Sequence, residues 1–283
     1  MSELLQRLEK EVLIGPGPEA LRSQYNVITE SGGMWAINNP ERYQDVLREE
    51  FAMGCDYVTA GGAERFTLKK FGLQDKTAEI NRGTLKLAKE VIPDNCFLGC
   101  GIMATLWIPP IKDTEKLYQT YLDQIVIALD IGVDFWSIIG ADILQMEIAV
   151  KAIRDNSDLP IVALLNLDPT PKGFRSMYGA DPTTTAKKME EAGVDVMGII
   201  CGGINYEETT AALKEMREAC SMPLAAQPNA GTPELVDAKV VHPTTPEHMA
   251  KEAPNWVSAG ARMVSGCCGT TPEFIKKVIA VLK

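Results

Sequence analysis

The chain has 283 residues, of which 28 are lysine or arginine and 38 are aspartate or glutamate, so its formal net charge is −10. This acidic balance argues against nucleic acid or an anionic membrane as a main partner, because both attract basic surfaces. No apolar run is long enough to cross a bilayer, and the charged N-terminal segment MSELLQRLEKEV does not resemble a signal peptide. Seven cysteines, an odd number, favour a reducing cytoplasmic setting with thiol or metal roles.

Short apolar runs alternate with longer amphipathic segments along the whole chain. The runs are uninterrupted and rich in branched residues, as expected for parallel strands that are buried on both faces. The predicted strands lie at 11–15, 56–60, 96–103, 133–139, 160–167, 194–201, 222–228 and 261–266. The predicted helices lie at 41–53, 75–92, 114–131, 142–155, 183–192, 206–219, 246–258 and 272–282.

Glycines and prolines mark the joints between these segments. A glycine closes the helix before every second strand, at Gly54, Gly132, Gly193 and Gly260, where the left-handed conformation ends a helix. Repeated strand–helix units without a polar linker predict one α/β domain over residues 1–283, a (β/α)8 TIM barrel. The alternative is a doubly wound open sheet, but no Gly-x-Gly-x-x-Gly sequence follows the first strand.

The stretch from Ser265 to Pro272 reads SGCCGTTP and follows the last predicted strand. Neighbouring side chains on a strand point to opposite faces, so two adjacent cysteines can serve one site only where the chain turns. The flanking glycines permit that turn. Taken alone, the stretch fits three alternatives: a thiol pair that only packs, a phosphate-binding loop at a helix start, or a thiolate metal site.

A barrel has its active site at the carboxyl ends of its strands. Cys201 ends the sixth predicted strand, Cys267 and Cys268 follow the eighth, and Cys100 lies late in the third. Three thiolates from the sixth and eighth strands could bind zinc, which sulfur ligands select over magnesium or calcium, and leave a fourth position for a substrate thiol. The phosphate-loop alternative leaves Cys201 unexplained, and Cys100 becomes a candidate for substrate contact.

These residues resemble the homocysteine S-methyltransferase domain family, which includes the homocysteine-binding part of cobalamin-dependent methionine synthase and betaine–homocysteine methyltransferase. The family's closing signature is matched by Gly266 to Pro272, its single cysteine by Cys201, and its Gln-Pro-Asn-Ala-Gly stretch by Gln227 to Gly231. The resemblance covers nearly the whole chain. It implies a barrel methyltransferase with zinc on Cys201, Cys267 and Cys268, where a thiolate attacks an activated methyl group.

Departures from the family pattern bear on the substrate. Pro16 stands where the family usually has the aspartate of Gly-Asp-Gly, Ile139 lies where it has Glu-Thr, and Ile200 replaces an asparagine. In the family those acids help to hold the amino-acid head of homocysteine, because an ammonium group needs carboxylates or carbonyls around it. We therefore hypothesise a thiol other than homocysteine. The alternative is an ordinary homocysteine S-methyltransferase that makes methionine with a clamp rebuilt from Glu64, Asp142 or Glu147.

Further substrate contacts are predicted from Asn229 after the seventh strand and Asn166 after the fifth, besides Glu64 and Cys100. Trp107, after the third strand, would either wall the site or anchor its loop. The chain contains no corrinoid-binding Asp-x-His-x-x-Gly motif. One hypothesis for the methyl donor is therefore a methylated corrinoid carried by a separate protein that docks over the strand tips, and in the reverse direction the reduced corrinoid would accept the methyl group. A zinc–thiol binding module without turnover is the alternative from a different class of function.

Overall fold

The computed structural model describes residues 2–104, 113–232, 234–236 and 239–283. Its main sheet consists of parallel strands in the order β1-β8-β7-β6-β5-β4-β3-β2 when the barrel strands are numbered along the chain. These strands are β1 Leu13–Ile14, β2 Tyr57–Gly61, β3 Phe97–Ala104, β4 Phe135–Gly140, β5 Ile161–Leu165, β6 Val196–Ile200, β7 Leu224–Gln227 and β8 Ala261–Val264.

The first and last strands of this order, β1 and β2, meet at a short seam. β1 pairs with β8 on one side and has only two residues. On its other side the Asp56 N–H donates to the Ile14 carbonyl at 2.7 Å, and the Ile14 N–H donates to the Asp56 carboxylate at 2.7 Å. These bonds bring the two ends of the sheet together, and the predicted (β/α)8 barrel is confirmed.

A helix follows each strand and packs on the outside of the sheet. These helices are α1 Pro40–Met53, α2 Thr77–Lys89, α3 Thr114–Ile131, α4 Ile143–Arg154, α5 Pro182–Glu191, α6 Tyr206–Ala219, α7 Pro246–Ser258 and α8 Pro272–Leu282. Shorter helices lie at Glu3–Leu8, Glu19–Arg22, Gly32–Asn38 and Arg65–Lys69, with a 3-10 turn at Gln74–Lys76. Within the described ranges, no helix is both long and apolar enough to span a membrane.

The connecting segments depart from the sequence prediction in two places. The segment after β5 forms a hairpin of Asp168–Thr170 with Gly173–Arg175, and the segment after β7 forms another of Glu234–Val236 with Lys239–Val241. Both hairpins lie in loops at the carboxyl ends of strands. Each hairpin strand has only 3 residues, which is too short for hydrophobic periodicity to predict a strand.

Apolar side chains form one core inside the barrel and another between the sheet and its helices. Leu4 and Leu8 of the N-terminal helix belong to the inner core. Arg7 of the same helix bonds the Asn95 carbonyl and the Asp56 carboxylate, which precede β3 and β2. The helix Glu3–Leu8 therefore closes the amino end of the barrel, and the carboxyl end remains for chemistry.

Candidate metal centre

The three cysteines predicted as ligands meet at the carboxyl end of the barrel, and Cys201, Cys267 and Cys268 are called the cysteine cluster below. Their sulfurs all lie within 4.8 Å of one another. The Cys268 sulfur lies 3.9 Å from that of Cys201 and 4.0 Å from that of Cys267. A tetrahedral zinc with Zn–S bonds of about 2.3 Å sets its sulfurs about 3.8 Å apart, so both separations suit zinc. Cys201 and Cys267 are joined as a disulfide here, and metal binding by all three requires its reduction.

Cys201 has an unusual backbone conformation. Among the residues that the structure describes, it is the one non-glycine residue with positive φ, at 53°. A residue with a β-carbon rarely adopts this left-handed conformation, and such strain concentrates at functional sites. The Cys201 N–H donates to the Gln227 carbonyl at 3.1 Å, which ties the cysteine to the end of β7. The turn therefore directs Cys201 to the carboxyl end of the barrel.

Neighbouring loops hold the turn that follows Cys201. The Gly203 N–H donates to the Leu167 carbonyl at 3.0 Å and to the Asp168 carboxylate at 2.8 Å. Gly202 has a φ of 81°, and a β-carbon at this position would lie 1.9 Å from the Leu167 oxygen. Because backbone packs directly against this glycine, the conformation of the turn depends on the loop after β5.

The turn that carries Cys267 and Cys268 is fixed from two sides. The Cys267 N–H donates to the Pro228 carbonyl at 2.8 Å, and the Cys268 carbonyl accepts from the Ala230 N–H at 2.8 Å. On the other side the Gly269 N–H donates to the Glu19 carboxylate at 3.1 Å. The loops after β1 and β7 therefore hold the paired cysteines in place.

A cation lies beside the cysteine cluster. Burial alone lowers the pKa of Arg22, but the adjacent Cys268 sulfur and the Glu19 carboxylate outweigh it, so the pKa is raised. Arg22 also pairs with Glu19 at 3.3 Å. Its positive charge offsets part of the negative charge that cysteine thiolates carry. Neither residue was singled out from the sequence, because a short Glu-x-x-Arg pattern also occurs on ordinary exposed helices.

Two of the predicted substrate-binding residues lie near Cys201. The Asn229 side chain donates to the Gly202 carbonyl at 2.7 Å, and the Asn166 side chain donates to the Ile200 carbonyl at 3.5 Å. The Asn229 side-chain oxygen is buried and has no hydrogen-bond partner among the described residues. Both amides thus brace the strand end that carries Cys201, and Asn229 retains an acceptor for a ligand.

The structure does not bring the other two predicted contacts, Glu64 and Cys100, into the cysteine cluster. Cys100 belongs to the outer core, where burial raises the pKa of its thiol to about 12. Glu64 is buried, accepts from the Thr67 hydroxyl at 2.7 Å, and lines a separate cavity of about 450 Å³. Their contacts with substrate remain predictions, and Trp107 lies outside the described residues.

The other acids predicted as parts of a rebuilt amino-acid clamp already have structural roles. Asp142 caps α4 by accepting from the Gln145 N–H at 3.0 Å, and Glu147 pairs with Lys188 at 3.8 Å. Ile139 and Ile200 pack in the inner core, which also includes the cysteine cluster. Beside the cysteine cluster, apolar side chains therefore occupy the two positions at which the family usually has Glu-Thr and asparagine.

A family model described as homocysteine S-methyltransferase matches residues 2–282. The chain therefore belongs to the homocysteine S-methyltransferase family, a family of methyltransferase enzymes. The predicted family resemblance is confirmed.

Individual relatives match at low identity. The chain is 25% identical over 306 residues to methionine synthase of Mycobacterium leprae, a match that covers 99% of this chain and 25% of that protein. The chain thus spans about a quarter of the methionine synthase it matches. It is 24% identical to betaine–homocysteine S-methyltransferase 1 of Danio rerio, covering 97% of this chain and 74% of that protein. The metallated form of the Escherichia coli homocysteine methyltransferase MmuM shares the fold, with a TM-score of 0.78 and 18% sequence identity. The structural match covers 97% of this chain and 98% of the MmuM chain.

Proposed function

We propose that this protein is a zinc-dependent methyltransferase that moves a methyl group to or from a small thiol held at the cysteine cluster. The observation that carries the proposal is the convergence of three cysteine sulfurs, two of whose separations match a tetrahedral zinc. Membership of the homocysteine S-methyltransferase family supports methyl transfer to or from sulfur.

The chain's own residues account for most of the required chemistry. Zinc, when bound, would lower the pKa of the substrate thiol and so supply a thiolate nucleophile at neutral pH. Cys201, Cys267 and Cys268 fix the position of that sulfur, while Ile139 and Ile200 limit the access of water. The sulfur–carbon bond forms as the bond between the methyl group and its donor breaks in line. No side chain has to remove a proton during transfer, because the thiol is already ionised.

We further propose that the thiol is not homocysteine. Pro16 and Ile139 occupy family acid positions, and the neighbouring Asp142 and Glu147 serve a helix cap and an ion pair. An ammonium group placed beside these apolar side chains would lose hydration without gaining a hydrogen bond. The family name favours homocysteine as the alternative, and the experiment below distinguishes the two.

As methyl donor we propose a methylated corrinoid carried by another protein in the cytoplasm; in the reverse direction the reduced corrinoid of that protein would accept the methyl group. The position of the cysteine cluster supports this proposal, since the cluster lies at the carboxyl end of the barrel and Cys201 and Cys268 are only partly buried. A pull-down with corrinoid proteins tests it, together with turnover on each purified corrinoid protein. Turnover on a small sulfonium donor, without binding to any corrinoid protein, contradicts it.

X-ray absorption at the zinc edge tests the metal and the acceptor together. The protein is reduced and loaded with zinc, then measured alone, with homocysteine, and with thiols that lack an amino-acid head. We expect three sulfurs around zinc and a fourth from the non-amino-acid thiols. The variant Cys201→Ser should lose one sulfur, whereas the control Cys96→Ser, far from the cluster, should not. A protein that binds no zinc overturns the proposal; sulfur from homocysteine, with turnover to methionine, supports the alternative.

Turnover separates the enzyme from a module that only binds zinc and thiol. Each thiol that adds sulfur to the zinc spectrum is incubated with methyl donors, and its methylated product is measured. We expect product with at least one donor. Thiol binding without product from sulfonium, ammonium and corrinoid donors identifies a binding module.

A further inference from the structure

A cavity of about 280 Å³ extends from the cysteine cluster into the seam between β1 and β2. Cys267, Ile200 and Gln227 line its part within the barrel, while Tyr43 and Glu50 of α1 line its part outside the sheet. The cavity opens beside the two-residue β1, where Pro16, Gly17 and Pro18 follow the strand and line the cavity. This seam cavity therefore connects the proposed thiol site with the inner surface of α1.

Glu50 is a buried acid on the wall of the seam cavity. It is 6% exposed, and its carboxyl group makes no hydrogen bond or ion pair within the described ranges. Burial, followed by the negative charge of Glu49, raises the pKa of Glu50 to about 8. A buried carboxyl group without a partner is unfavourable, so its position in a cavity points to a ligand that completes it.

The charged neighbours of Glu50 do not neutralise it. Arg22 lines the same cavity, but its guanidinium pairs with Glu19 at 3.3 Å. Glu49 lies on the solvent side of α1 and pairs with Arg42 at 3.4 Å. Lys276 of α8 borders an outer groove that Glu50 also lines, but the pKa of Glu50 reflects burial and Glu49 rather than a cation. Among the described residues no cation is paired with Glu50, and a cationic ligand would complete it.

We propose that Glu50 binds the ammonium group of the thiol substrate, whose carbon chain lies in the seam cavity. The inference rests on the proposed function, because the sulfur end of the same molecule is held at the cysteine cluster. Glu50 would replace the family acids that are absent at Pro16 and Ile139, from a different part of the barrel. The substrate class is an aminoalkanethiol, a thiol with an amino group at the far end of its chain.

The chemistry of the seam cavity suits this class of substrate. An ammonium group beside Glu50 would displace the proton of its carboxyl group to solvent, and the resulting carboxylate accepts strong charge-assisted hydrogen bonds from the ammonium group. The aromatic side chains of Tyr43 and Tyr57 line the same cavity, and aromatic rings attract cations. Between the two ends, Val46, Leu47 and Val58 provide apolar surface for methylene groups. The cavity thus has a sulfur end, an apolar middle and an acidic end.

Binding of matched thiols to the reduced, zinc-loaded protein tests the proposal. Aminoalkanethiols of two to six carbons are compared by calorimetry with hydroxyalkanethiols of the same lengths. We expect one aminoalkanethiol to bind at least about tenfold more tightly than its hydroxyl counterpart, and Glu50→Gln to abolish that preference. The control Glu49→Gln, one residue away on the exposed face, should retain it. Equal affinities for both series in the unaltered protein overturn the proposal.

A thiol-free probe separates failure of this inference from failure of the proposed function. n-Butylamine is titrated into reduced, metal-free protein and into its Glu50→Gln variant. We expect saturable binding that Glu50→Gln weakens at least about tenfold, with the hydroxyl analogue n-butanol unaffected by the substitution. Absence of this difference contradicts the role of Glu50 even if thiols reach zinc. The other outcome is that Glu50→Gln weakens n-butylamine binding although no thiol adds sulfur to zinc. That result supports the role of Glu50 and contradicts only the proposed function.

Discussion

Cys201 depends on a side chain that does not touch the cluster, because the Asp168 carboxylate accepts from the Gly203 N–H at 2.8 Å. Replacing Asp168 by alanine removes this acceptor and loosens a turn that is already in a left-handed conformation. We expect Asp168→Ala to weaken zinc binding about 10- to 100-fold, as loss of an outer partner does at metal sites. Competition with a chromophoric chelator measures this affinity. Asp158→Ala serves as a surface control, and unchanged affinity in Asp168→Ala contradicts the positioning role.

Glu50 gives the fold a distinct pH dependence. Its folded-state pKa, raised to about 8 by burial and then by Glu49, exceeds the value of 4.5 expected without burial. The folded state therefore holds this proton more tightly than the unfolded state. The stabilisation that protonated Glu50 gives the fold is complete below the unfolded-state pKa of 4.5 and is lost as pH rises through the folded-state pKa of about 8. We expect the stability of the ligand-free protein, relative to Glu50→Gln, to fall by up to about 5 kcal/mol over this range, since one pKa unit is about 1.4 kcal/mol.

Urea unfolding at pH 5, 6.5 and 8 measures this difference, with Glu49→Gln as the exposed control. Glu49 is mostly exposed and pairs with Arg42, and its charge is the smaller cause of the raised Glu50 pKa. Glu49→Gln should therefore keep the fall in stability as pH rises, with only a modest reduction. Parallel profiles for Glu50→Gln and the unaltered protein would show that the Glu50 carboxyl is not buried in solution.

At the scale of elements, the helix Glu3–Leu8 and the loops at the opposite end have separate tasks. Leu8 is 1% exposed and packs in the inner core at the amino end. We expect Leu8→Ala to lower the free energy of unfolding by about 2–5 kcal/mol, through lost burial and a cavity. Zinc affinity should stay within about twofold, because the strand tips that carry the cysteine cluster lie at the other end of the barrel. Chemical unfolding and chelator competition measure the two effects, and a parallel loss of zinc affinity contradicts the separation.

At the scale of the whole molecule, the candidate metal ligands come from segments that are far apart in sequence. Cys201 and Cys267 are separated by 66 residues and belong to loops after different strands. Zinc that binds only the folded arrangement should stabilise the reduced protein by about 2.7 kcal/mol when free zinc is 100 times its dissociation constant. Thermal unfolding with and without zinc measures the shift in Tm. We expect Cys201→Ser to remove most of it and Cys96→Ser to keep it; an equal shift in both variants places the zinc elsewhere.

The sequence alone determined the barrel and predicted which cysteines meet as candidate metal ligands. Repeated apolar runs predict parallel strands because each is buried on both faces, and the glycine joints divide the units. The position of Cys201, Cys267 and Cys268 after strands then places them at one end, since all strand tips of a parallel barrel face the same way. These inferences depend on local pattern and topology, which the sequence expresses directly.

Only the tertiary structure decided which face or cavity each remaining residue meets. A strand that is apolar on both faces has no alternation to reveal its inward side, so the sequence could not tell that Cys100 lies in the outer core. Glu50 and Arg22 lie in the segment between β1 and β2, and the cavity beside the short β1 joins them to the cysteine cluster. That juxtaposition follows from packing across the seam. Packing between distant segments has no local sequence signal, which is why the acidic end of the proposed substrate site emerged from the structure alone.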